Sequence, residues 1–218
     1  CELGCAYDAK NNALKRLVPR AVKAGAEFFT HCQASRITYE KGQITGLEAF
    51  VLDKTNYQPM GSVLVKAPQI CLSASATGTA ALILRSNLPH PQGSVGETLA
   101  IHPAVIVAGV FEEEIRAWEG IPQSYECTEF LNFGQEKKTA SRLWILPAFA
   151  HPMATSTLLP GHGEMHQKWM KQYAHMAVLT AMLHDQTKGK VEPVDKLGLK
   201  LHYWPNQADS QELHWGLK

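Results

Sequence analysis

The sequence predicts a mixed α+β chain, and three observations predict it. Residues 63–72 are rich in Val, Leu and Ile, pass through Ser73, Ala74, Ser75 and Ala76, and enter the helix formers of residues 80–85. Ahead of them, alternating segments separated by turn signals at residues 40–43 and 54–61 describe an antiparallel meander over residues 34–66. Beyond Pro103, strand-like runs, Gly/Pro loops and a helical pattern describe an antiparallel sheet with helices.

Taken in order, residues 10–25 read as helical, with Pro19 opening a second piece and Gly25 ending it. Leu14, Leu17, Val18, Ala21 and Val22 share one face of that pattern, and the basic residues share the other. Strand character follows at residues 27–34 and 36–39, then at residues 44–53 after the Glu40–Gln43 turn signal. The central stretch comes next: a strand over residues 63–72, a turn of very small side chains, a helix, and the loop GETLAIHP. Small side chains between a strand and a helix let backbone amides approach a ligand, often a phosphate-bearing one, and equally let strand and helix pack closely. The segment AVIVAGVF then reads as a buried strand and RLWILPAFAHP as another, stopped by Pro152. The longest helical signal covers residues 164–185, where Met165, Trp169, Tyr173, Met176, Thr180 and Leu183 form one apolar stripe. GKVEPV and GLKLHYW alternate as a hairpin, and residues 209–217 begin a helix. The domain boundary is placed near Pro103, dividing the chain into residues 1–103 and 104–218.

The chain has 218 residues, 45% hydrophobic and 19% charged, enough for a real core and unlike a disordered segment. A formal net charge of +1 gives no electrostatic case for nucleic acid or an anionic membrane surface. No apolar run approaches the roughly 18 residues of a membrane span. The five cysteines, with only Cys1 and Cys5 close together, favour reduced thiols and a cytoplasmic location. Cys71, set within the expected strand, reads as a small buried hydrophobe.

Motif chemistry is sparse. His162 and His166 have the spacing of two ligands on a helix, but a metal needs a third protein ligand and none is evident. There is no GxSxG elbow, no P-loop and no GxGxxG, so no catalytic residue is assigned.

The residues together resemble an internal section of the glucose–methanol–choline family of flavin-dependent oxidoreductases. CELGC followed by the L-P-x-A…G-A helix is similar to one family segment. ICLSASATGTAALILRSNL resembles its strand–turn–helix, and GETLAIHP resembles its G-x-N-L…H-P loop at Gly96, Leu99, His102 and Pro103. The order of AGVFEEEIRAWEGIPQS, MKQYAHMAVLTAMLHDQTKGKVE and HYWPNQADSQELHWGL is also the family's. This chain departs from the pattern where Ser75 and Asn87 stand for glycines, Ala80 for a proline and Thr98 for an asparagine.

The resemblance implies a partial FAD-binding α/β portion with its β-meander over residues 1–103, and a portion of an antiparallel-sheet substrate domain over residues 104–218. It implies FAD as cofactor, with Ala34 at a backbone contact to the adenine. Ala74, Ser75 and Ala76 would form the turn near the pyrophosphate and ribose, and His102 would lie in the loop approaching the cofactor. The expected activity is hydride transfer from the CH–OH of a small alcohol to FAD. The N-terminal GxGxxG unit and the C-terminal segment with the catalytic histidine are expected to lie outside this chain, so that it does not catalyse alone. A complementing chain or a homo-oligomer is then expected to cover its strand edges; no nucleic-acid or membrane partner is expected. The alternative is a non-catalytic binding module that kept the scaffold and lost FAD.

Overall fold

The computed structural model describes residues 6–7, 9–90, 93–121, 123–131 and 141–218. Cys1, Cys5 and the CELGC segment lie outside the described residues. The architecture is α+β, with helices and three antiparallel sheets, in keeping with the class read from the sequence. The chain forms two compact units, one from residues 11–100 with 187–204, the other chiefly from residues 101–186 with 205–218.

In the first unit, two short helices, α1 (Ala13–Arg16) and α2 (Val18–Lys23), precede the meander. Pro19 sits in the first turn of α2, where its missing N–H is not needed, and Gly25 follows the helix at φ +92°. Strands β1 (Cys32–Glu40), β2 (Gln43–Leu52) and β3 (Pro59–Lys66) pair antiparallel in sequence order. Lys41 and Gly42, at φ +49° and +86°, form the two-residue turn that the right-handed twist of a hairpin favours. The β2–β3 turn is held by Asp53, whose Oδ1 accepts the amides of Thr55 and Asn56 at 2.8 and 3.0 Å. Those amides, Asn56 first, hold the Asp53 carboxyl below its ordinary range.

The strand expected over residues 63–72 stops at Lys66, because Pro68 cannot donate to a ladder and residues 67–74 form no regular element. Cys71 therefore lies exposed, not inside a strand. Helix α3 (Ser75–Arg85) starts five residues before Ala80 and packs on β1. Its join to the meander is made by Ser86. The buried hydroxyl donates to Leu82 O at 2.6 Å and accepts the amide of Ile37, 49 residues away, at 2.9 Å. The hairpin β7 (Lys190–Val194) and β8 (Gly198–His202) also packs on α3. Arg85 fixes it there by donating to the carbonyls of Asp195 and Gly198.

In the second unit, β4 (Ala104–Val110), β5 (Leu143–Pro147) and β6 (Met176–Leu183) form a sheet of order β4-β6-β5. Helices α4 (Pro152–Ser156) and α5 (Glu164–Lys171) lie between β5 and β6, and α6 (Gln207–Trp215) follows the hairpin. The helix expected over residues 164–185 ends at Lys171; a 3₁₀ turn leads into β6. As the central strand, β6 buries residues of both faces: Met176 and Val178 pack on one side, Ala181 and Leu183 on the other, with Leu179 half exposed between them. A strand buried on both faces is apolar throughout, so its side chains also satisfy helical spacing.

The α6 end of this unit is pinned by charge. Asp209, fully buried, accepts Arg142 Nη1 at 2.6 Å and the Gln186 amide at 3.1 and 3.0 Å through its two oxygens. Asn206 caps α6 by accepting the Asp209 amide at 2.8 Å. Among the described residues no helix is long and apolar enough to cross a membrane.

Two substitutions test these joints by urea unfolding. Ser86→Ala leaves the buried Ile37 amide unpaired and is expected to cost about 1–3 kcal/mol. Asp209→Ala takes the buried carboxylate from the Arg142 guanidinium and is expected to cost about 3 kcal/mol, the low end for a broken buried pair, because Arg142 keeps the His184 carbonyl and partial solvent access. Unchanged midpoints would show that neither joint holds its unit together.

Candidate functional site: a cleft along helix α3

A cleft of about 580 Å³ runs along one face of α3. Ser75 and Ala76, Thr79 and Ala80, and Ile83 recur at three- and four-residue spacing and line one wall. The segment 94–100 lines the other, and Val191 of β7 completes it. No charged side chain is among the lining residues.

The second wall is held in place by the hairpin. Leu99 and Gly189 exchange backbone hydrogen bonds of 3.0 and 2.7 Å, and the Val191 amide donates to Gly96 O at 2.7 Å. Gly96 has φ +79°, and a Cβ there would stand 2.8 Å from both Leu84 Cδ1 and Val191 O. Only glycine lets loop, helix and hairpin meet so closely. Outside the lining, Lys190 pairs with Glu97 at 2.9 Å, whose hydrogen bond and charge hold the ammonium above its ordinary pKa. Both side chains are half exposed, so this pair contributes little to stability.

Both ends of α3 turn through left-handed backbone. At the start, Ser75 has φ +65°. Its Oγ accepts the Gly78 amide at 3.5 Å, and Thr79 Oγ1 accepts the Ala74 amide at 3.1 Å. Ala74, preceding the helix, gives no side-chain cap. At the end, Asn87 has φ +52°; its amide reaches Leu84 O at 3.1 Å and the Leu88 amide reaches Ile83 O at 3.3 Å. That bond pair is a Schellman motif, in which glycine is usual and asparagine the common substitute. The two positions at which the sequence pattern expects glycine thus keep the backbone that glycine favours.

Of the residues singled out from the sequence, Ser75 and Ala76 line the cleft and Ala74 adjoins it at the start of α3. Ala34 lies half-buried on β1 opposite Ala49, beside a bulge and outside the cleft lining. His102 lies exposed in the other unit, ahead of β4. Thr79, Ile83 and Val191 are cleft residues that the sequence pattern does not single out. The first two follow from helical spacing once Ser75 is placed on α3; Val191 has no local signal, since nothing near it shows that the hairpin joins this unit.

Of the two histidines at ligand spacing, His162 precedes α5, and the His166 Nε2 atom lies 2.8 Å from Ser156 O. Among the described residues no three His, Cys, Asp or Glu side chains cluster to hold a metal ion.

Left-handed backbone costs a non-glycine residue about 1–2 kcal/mol, whereas replacing a serine cap by glycine costs only a few tenths. Ser75→Gly is therefore expected to stabilise the chain by about 1 kcal/mol, and Ser75→Val to destabilise it by more than that. Urea unfolding of the two variants checks the sign; destabilisation by glycine would show that the Ser75 hydroxyl outweighs the strain.

Residues 1–104, which contain α3 and all of the cleft lining except Val191, match the family described as GMC oxidoreductase. An uncharacterized GMC-type oxidoreductase of Mycobacterium tuberculosis is 31% identical over 196 residues, covering 89% of this chain and 29% of the relative. Another from Sinorhizobium fredii is 25% identical over 169 residues, covering 78% of this chain and 32% of the relative. A long-chain-alcohol oxidase of Arabidopsis thaliana is 25% identical over 230 aligned positions, covering 100% of this chain and 30% of the relative. The chain thus spans about 30% of the length of these relatives. With the strand–turn–helix and the G-x-x-L…H-P segment in family order, the chain belongs to the GMC oxidoreductase family.

Proposed function

We propose that this chain is part of a flavin-dependent alcohol oxidoreductase, contributing one side of the flavin cleft and a portion of the substrate pocket, and not catalysing alone. The observation that carries this reading is the cleft itself: its walls are the start of α3 and the loop through Gly96 and Leu99, both within the residues matched to the family. The unit holding α3 is assigned to the flavin and the unit holding the β4-β6-β5 sheet to the substrate. An alcohol as donor is supported by the relative named a long-chain-alcohol oxidase, whose match covers the whole of this chain.

The residues present fit the family's cofactor. The amides that open α3 have no backbone acceptor within the helix, the Gly78 amide being held by a long bond to Ser75 Oγ, and no carboxylate lines the cleft to repel a diphosphate. Ala74, Ser75 and Ala76 would hold the pyrophosphate and ribose through their backbone. Ile83, Leu99 and Val191 would keep water from that side of the cleft. Ala34 is assigned a backbone contact to the adenine, and His102 a place near the cofactor, on their positions in the family segments alone. When bound, FAD supplies the hydride acceptor for oxidation of a CH–OH group. The rest of the site comes from further polypeptide, whether in one longer protein, a complementing chain or a second copy.

A non-catalytic binding module is the second reading. It is favoured by Ser75, which places a Cβ and a hydroxyl on the cleft wall where the family has glycine.

Titration of FAD into the chain, followed by flavin fluorescence, separates the two. The flavin reading expects saturable quenching, weakened about tenfold or more by Ala76→Asp, whose carboxylate would stand beside the diphosphate. Absence of FAD binding both to this chain and to a longer polypeptide containing it would leave only the second reading.

A further inference from the structure

Among the described residues, every sheet edge but one carries a feature that discourages further pairing. β1 has Arg36, Glu40 and two breaks of register, and β3 begins at Pro59 and ends at Lys66. β5 ends at Pro147 and is bridged by Cys127, and the β7–β8 hairpin carries Pro193 and Lys200. Such charges, prolines and bulges keep an open edge from templating another strand. Strand β4 reads AVIVAGV, with no charge, no proline and an unbroken register to β6. It ends the β4-β6-β5 order, and among the described residues no strand or bridge pairs with its other side. Ile106, Val107 and Val110 are exposed.

Hydrogen bonds at the two ends of β4 show which groups that edge presents. The Phe111 amide donates to His175 O at 3.0 Å and the Leu183 amide to Pro103 O at 2.9 Å, so the odd-numbered residues face β6. By the alternation of an antiparallel ladder, the N–H and C=O of Ala104, Ile106, Ala108 and Val110 face outward. An antiparallel copy of the strand, centred on Val107, sets those groups against one another. Ala104 then meets the second copy's Val110, and Ile106 meets its Ala108. Val105 meets Gly109, and Val107 meets itself on the two-fold axis. Every pair off the axis sets a larger side chain against a smaller one. Moving the centre by one residue instead sets Ile106 against itself or against Val110. Beside Gly109 stands the Phe111 ring, 3.2 Å from where a Cβ would be, an apolar surface for the incoming Val105.

We infer that β4 pairs with β4 of a second copy of this chain, antiparallel and centred on Val107, joining two three-stranded sheets into one. Ile106, Ala108 and Val110 also line a cavity of about 660 Å³ beside β4 and β6, with Trp169 in its lining, and the second copy extends that wall. The pairing rests on no flavin and on no assignment of the α3 cleft.

The test is sedimentation of the full chain over about 1–100 µM, where a small strand-to-strand interface is expected to give a monomer–dimer equilibrium. Val107→Lys and Val107→Glu each bring like charges together on the axis and are expected to weaken dimerisation about tenfold or more. Mixed in equal amounts, the two variants are expected to recover the dimer, because lysine then faces glutamate. Ala108→Pro removes an outward amide and no bond to β6, so it is expected to weaken the dimer while circular dichroism shows the fold intact. A monomer at every concentration would overturn the inference and leave the edge to other polypeptide. So would a dimer that Ala108→Pro leaves undiminished, or folded charged variants that stay dimeric or fail to recover on mixing. Titration of FAD reads the α3 cleft instead, so either result can fail without the other.

Discussion

The hydroxyl of Ser86 is the joint on which the first unit turns. It is buried, bonded at once to Leu82 within α3 and to the amide of Ile37 in β1. A backbone amide of a strand is thereby satisfied by a helix, which fixes α3 against the meander at a single register. One residue earlier, Arg85 donates to carbonyls at the tip of the β7–β8 hairpin. One residue later, Asn87 turns the chain away through left-handed backbone. Three consecutive residues at the end of one helix thus orient sheet, hairpin and loop. The cleft exists because those three elements hold α3 from outside its open face.

The start of α3 shows a different balance. Ser75 occupies a left-handed conformation that glycine would adopt without strain, and its cap bond to Gly78 is long at 3.5 Å. A weak cap offsets little of a cost of about 1–2 kcal/mol. The strain persists because the turn is over-determined: the Thr79 hydroxyl takes the Ala74 amide from one side, and α3 is anchored at its far end. The backbone path is kept while the side chain changes, so a ligand meeting this turn through its amides finds them with an added Cβ alongside.

Much of this is legible in the residues. The meander announces itself through alternation and the Lys41-Gly42 turn, because a hairpin's register is set locally. The sequence places the start of α3 late, since Ser75, Thr77 and Gly78 have weak helix propensity and the helix forms there through hydrogen bonds and packing. Cys71 misleads for a related reason: apolar residues 70–72 look like strand, but Pro68 has already ended the ladder. Residues 176–183 resist for a deeper reason. A strand covered on both faces loses its alternation, and length then argues wrongly for a helix. Least legible is Val191, whose place in the cleft depends on pairing between Leu99 and Gly189, residues 90 positions apart. No local pattern encodes such a contact.

The two cavities differ in what they can recognise, and the difference follows from how each is built. Along α3 the wall is the first turn of a helix and a glycine-bearing loop, so it presents backbone and small side chains. A helix start is a general setting for anionic oxygen, with no side-chain charge required. The cavity beside β4 and β6 is walled by alternate side chains of a sheet, whose edge strand is β4, and by apolar residues of a helical segment. A phosphate-bearing group and a hydrocarbon make different demands on such walls, and each cavity lies within one unit of the chain.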